Sequence, residues 1–254
     1  MNELFKDAVW LAKKDYKHHW IVVLTTFAFC IFIGLATGGL LLGSESVVIE
    51  INSNPAGTFL LDLVFVGMAP AFTTLFMSKA YLSFKAAKQD PYGKRMAFLQ
   101  SLPIPVSVLA LSRTILMLST LVIMSFAFYG SIATVLYGLN YPGSSSEIMT
   151  VNEFIIFTGV WFGFMLAIGG MNPFIEYGTR GVMLHIIPYA YIGLFIVVEI
   201  FFYQSYKQGI VEQSLDLVRD IGWPIAVLSI AIGVLCSYVW NHLLKKRLEN
   251  KDFL

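Results

Sequence analysis

The chain has 254 residues, of which 57% are hydrophobic and 13% charged, with a formal net charge of +1. Soluble domains carry about 25% charged residues, so this composition excludes a soluble enzyme, a disordered chain and a disulfide scaffold. The near-neutral balance also leaves no basic patch for nucleic acid, and none is expected as a partner.

The remaining class is an all-α integral membrane protein. Along residues 1–19, Leu4, Phe5, Ala8, Val9, Leu11, Ala12 and Tyr16 share one helical arc. The other arc carries Lys13, Lys14 and Lys17, with Trp10 and Asp15 as exceptions. This predicts an interfacial amphipathic helix with its lysines toward anionic headgroups. Six apolar runs follow, over 20–42, 58–80, 106–137, 153–174, 182–203 and 221–244. Each reaches the roughly 20 residues that a bilayer crossing needs. Alternating strand patterns are absent, which argues against a barrel. Lys and Arg number fourteen on one set of flanking segments and two, Lys207 and Arg219, on the other. The positive-inside rule then places both termini in the cytoplasm. The opposite loops carry Glu45, Glu50 and Glu147.

Within the second loop, 85–105, Asp90-Pro91 is a helix-start signal, and Pro103 and Pro105 a stop. A short rigid helix over 92–101 is expected, with Met96 and Leu99 on one side and Lys94, Arg95 and Phe98 elsewhere. The segment 204–220 predicts a short amphipathic helix on the extracellular surface, with Val211, Leu215 and Val218 at helical spacing.

Charges inside the apolar runs are expensive and point to function. Asp62 and Glu199 are candidates for a polar path, or for pairing near the interface. Arg113 reads as structurally paired or as snorkelling to the inner interface, with a polar path as the alternative. Glu153 and Glu176 mark span ends. His18, His19 and His242 sit in basic surroundings and read as headgroup-facing. Cys30 and Cys236 read as buried small hydrophobes. Phe and Met can adapt to apolar cargo or simply fill the bundle. Gly34, Ala36, Gly38, Gly39, Gly169 and Gly170 suit close helix contacts. No phosphate-binding G-x-x-x-x-G-K-[ST] loop occurs, so ATP is not bound here by that motif.

The order of these parts, with Phe98-Leu-Gln-Ser-Leu-Pro-Ile-Pro105 running on to Arg113, resembles the type-2 ABC transporter permeases. In size and plan it is similar to the Gram-positive exporters of phenol-soluble-modulin peptides. The resemblance implies an elbow helix at 1–19 and a coupling helix that contacts a separate ATPase through Tyr92, Lys94, Arg95 and Phe98. It implies a dimer with a second permease copy or paralogue, and a path along spans two and five, where Asp62 and Glu199 lie. ATP and Mg would sit on the partner, leaving this chain without cofactor or catalytic residue. The implied task is export of an amphipathic or apolar peptide, lipid or drug-like molecule across the cell membrane. Two alternatives remain open: an intramembrane peptidase of CAAX-like type using Glu176 and His185, and a proton-coupled transporter using Asp62 or Glu199.

Overall fold

The computed structural model describes residues 2–51, 55–138 and 149–250. Side chains are described from 3 to 41, 57 to 138 and 149 to 250, so Glu45, Glu50 and Glu147 lie outside them. Among the described residues all regular structure is helical. The elements are α1 (Asn2–His18), α2 (Trp20–Ile51), α3 (Pro55–Asp62), α4 (Lys79–Leu82), α5 (Phe84–Lys88) and α6 (Pro91–Gln100). They continue with α7 (Val106–Ala133), α8 (Val151–Gly169), α9 (Met183–Tyr206), α10 (Ile210–Ile221) and α11 (Trp223–Glu249).

Among the described residues five helices are long and apolar enough to cross a membrane: Trp20–Leu41, Val106–Gly138, Val151–Gly178, Met183–Tyr206 and Trp223–Glu249. These make the chain a multi-pass membrane protein. The apolar run at 58–80 is not a single helix. After α3 it widens into a π turn over Leu63–Gly67, tightens into a 3-10 turn over Ala69–Thr73, and then stops. Pro70 lacks an amide proton and cannot continue an α ladder. Neighbouring helices satisfy the freed backbone groups, as the hydrocarbon requires. The Tyr191 hydroxyl donates to the Val66 carbonyl at 2.7 Å, and the Asn172 amide donates to the Pro70 carbonyl at 2.7 Å.

The core lies around Phe65, whose ring meets Phe128 at 5.6 Å, Phe157 at 5.3 Å and Trp161 at 5.1 Å. The most buried phenylalanines therefore fill the bundle, while Phe32, Phe126 and Phe201 are exposed on its perimeter. Cys30 is buried and Cys236 half-buried, both as free thiols.

Small residues set the closest approaches. A Cβ at Gly34 would lie 2.5 Å from the Phe128 carbonyl oxygen, so α2 and α7 meet backbone to backbone there. A Cβ at Gly163 would lie 2.6 Å from the backbone nitrogen of Ile230, and α8 and α11 touch almost without side chains between them. Ser229 donates to the Val160 carbonyl at 2.7 Å and Ser237 to the Leu166 carbonyl at 3.2 Å, bonding these two helices across their seam. Ala36 and Gly39 are exposed instead.

Helix starts follow local chemistry. Thr150 and Glu153 form a reciprocal capping box at α8, with the Thr150 amide donating to Glu153 Oε2 at 2.7 Å. Glu153 thus has a capping role, beyond marking a span end. Asp90 takes a left-handed conformation (φ 48°) and accepts from the Gly93 amide at 3.1 Å, which starts α6.

Candidate functional site

Two buried polar clusters stand at opposite parts of the bundle. The first gathers where α1, α6 and α7 meet. Ala8, Leu11, Ala12 and Asp15 are the buried positions of α1, at helical spacing, and they pack against α7. Leu4, Phe5 and Val9 of the expected apolar arc are exposed on the protein, as are Lys13, Lys14 and Lys17.

Asp15 belongs to the packed stripe because its charge is met by opposite charges on two other helices. One of its oxygens pairs with Arg113 of α7 and the other with Arg95 of α6. Arg113 does not snorkel: its side chain is 1% exposed. An Asp within reach, with the Tyr177 ring 4.7 Å from the guanidinium, offers more than the interface would. Tyr16 extends the junction, hydrogen-bonding Thr120 at 2.7 Å and Ser119 at 2.9 Å on α7.

His19 is also redirected. It is half-buried, and Arg95 Nη1 lies 3.0 Å from its Nε2. A guanidinium can only donate, so His19 Nε2 accepts and the ring is neutral. Burial first, and then the Arg95 charge, hold the imidazole below its ordinary range. His18 and His242 are exposed, as expected.

The four residues expected to contact a partner divide into two pairs. Tyr92 and Arg95 turn into the protein, and Lys94 and Phe98 turn out, with Phe98 64% exposed. Tyr92 lies 3.1 Å from Ser78 Oγ, and its ring meets Tyr177 at 5.5 Å. Burial pushes the Tyr92 and Tyr81 hydroxyls well up, so both stay protonated. Beneath α6, Met96 and Leu99 pack with Leu11, Leu109, Leu244 and Leu248. Gln100 donates to the Leu248 carbonyl at 3.0 Å. The short helix is therefore held by α1, by α7 and by the end of α11.

Glu176 and His185 do not pair with each other. Tyr81 donates to Glu176 at 2.7 Å, and His185 Nε2 lies 3.1 Å from the Ala80 carbonyl oxygen. Among the described residues no group of three His, Cys, Asp or Glu side chains could hold a metal ion.

The second cluster joins α3, α9 and α10. Asp62 is wholly buried and accepts from the amides of Ile210 and Val211, each at 2.7 Å. Glu199 is 5% exposed and meets Asp62. The expected amphipathic helix is α10, with Val211 and Val218 buried as the spacing predicts. Trp161 of α8 donates to Ser214 of α10 at 3.2 Å. Beside this junction lies an apolar cavity of about 400 Å³ whose wall includes Trp161, Phe164, Tyr191, Leu194, Phe195 and Ile210. Asp62 and Glu199 come together, but neither lines that cavity.

The sequence reading missed Asp15, Tyr177, Asn172 and Tyr191. For Asp15 a signal existed: it falls seven residues after Ala8, on the same face. No known family signature, curated protein or solved structure matches this chain.

Proposed function

We propose that this chain is the membrane-spanning subunit of an ATP-driven exporter of the type-2 ABC permease kind, powered by a separate ATPase. The observation that carries the reading is the mounting of α6. A ten-residue helix, capped at Asp90, presents Lys94 and Phe98 outward. On its inner side Arg95 shares Asp15 with Arg113. A push on the exposed face of such a helix passes directly to α1 and α7 through buried charges. In this reading α1 is the elbow helix and α6 the coupling helix.

The broken segment from α3 to Thr73 supplies the sixth crossing. Phe65 lies opposite Trp161, and Thr73 hydrogen-bonds the Gly169 carbonyl at 3.3 Å. The segment thus runs parallel to α8 over the same depth, as a second and a fourth crossing would. Six crossings leave both termini on the lysine-rich, cytoplasmic side. A second permease copy or paralogue completes the path, and the apolar cavity suits an amphipathic or apolar cargo.

The test is capture of the tagged chain from its native membrane with an assay for co-purified ATPase activity. Lys94→Glu with Phe98→Ala is expected to lose that activity and transport while leaving the melting temperature unchanged. Retention of both, or transport by the purified chain alone, overturns the reading.

A further inference from the structure

Asp62 ends α3, and Glu199 stands on α9 inside a candidate membrane span. Their surroundings are opposite. Both Asp62 oxygens accept amide protons from the first turn of α10. A helix start has N–H groups without intrahelical partners and a positive dipole end, so Asp62 is held there as a carboxylate. The approach depends on Gly209, where a Cβ would lie 2.6 Å from Asp62 Oδ2.

Glu199 has no such donors. Its Oε2 is buried without a hydrogen-bond partner among the described residues. The group it meets is the Asp62 carboxyl. The other titratable group facing the pair is Glu212 of α10, and it is engaged elsewhere, accepting from the Gly209 amide at 3.1 Å and the Thr58 hydroxyl at 3.4 Å. No ion pair among the described residues reaches Asp62 or Glu199. Two acceptor-only groups in contact, buried and without a cation, repel unless a proton stands between them.

We propose that Asp62 and Glu199 form a proton-binding site in which Glu199 holds one proton and donates it to the Asp62 carboxylate. The ligand is a proton: each Asp62 oxygen accepts one amide and keeps a second lone pair that can accept the Glu199 hydroxyl. Loss of the proton leaves two like charges side by side at the junction of α3, α9 and α10. Among the described residues Asp62 is the side chain from another element that accepts from the first turn of α10, so the repulsion bears on that turn. The site is thus a latch that a change of proton concentration opens, and it is independent of any ATPase partnership.

Infrared difference spectroscopy on the full chain in phosphatidylcholine vesicles, between neutral and alkaline pH, reads the C=O stretch of protonated carboxyl groups. A component is expected that vanishes on alkalinisation, is missing in Glu199→Gln and persists in Glu176→Gln. A spectrum that Glu199→Gln leaves unaltered overturns the site. Hydrogen exchange gives a second readout. Corrected for intrinsic rates, exchange at the Ile210 and Val211 amides should rise about tenfold in the alkaline wild type, as repulsion at short range demands. Glu199→Gln, which keeps a donor for Asp62, should show no such rise. Should that variant fail to fold, Asp62→Asn removes the second charge and must likewise abolish the rise. Equal responses in wild type and variant overturn the latch.

Discussion

The two buried clusters solve one problem in different ways. Around Asp15, charge is balanced by charge, with two guanidinium groups supplied by two other helices. Around Asp62, a carboxylate is balanced by backbone amides at a helix start. The first arrangement ties three elements through opposite charges. The second ties its elements through groups that can lose their hold. Rigidity is thus concentrated beside α6, and the adjustable joint sits beside α10.

The comparison breaks most severely at Asp15. Asp15→Ala leaves Arg113 buried with no counter-charge, and should destabilise the chain by about 3–5 kcal/mol. Thermal unfolding in detergent measures this, and Arg113→Met in the same background should recover part of the loss. At the other cluster, Asp62→Ala removes a cap and the partner of Glu199 but leaves no buried cation unpaired, and should cost about 1–2 kcal/mol. The loss should appear as faster amide exchange confined to the start of α10. If the two variants proved equally damaging, the contrast between rigid and adjustable joints would be lost.

A gentler change concerns His19. Because its imidazole is held neutral, the folded state resists protonation there. Its contribution is therefore present above the ordinary imidazole value of 6.5 and is lost as the pH falls below it. Unfolding temperatures measured across that range should fall less steeply in His19→Gln than in the wild type. The smallest expected effect is on the outer face of α6. Phe98→Ala alone should change stability by less than about 0.5 kcal/mol, since the ring touches mainly solvent.

Much of this was legible in the residues. Apolar length and lysine asymmetry mark the spans, and Asp90-Pro91 marks the start of α6. The amphipathic spacing of Val211, Leu215 and Val218 marks α10. The break after Asp62 was not legible, because an apolar run does not reveal whether its backbone stays α-helical. That outcome depends on Tyr191 and Asn172, more than a hundred residues away, accepting the task of bonding the freed carbonyls. For Arg113 the run left pairing and snorkelling both open, and its pairing with Asp15 of α1 depends on the fold. Asp62 and Glu199 were singled out as a pair of interest, whereas their contact with the first turn of α10 depends on the fold.

The seam between α8 and α11 has a mechanical consequence. Where Gly163 and Gly233 let two backbones rest on each other, no layer of side chains remains to shear or repack. Those helices must swing as one slab, like a door leaf.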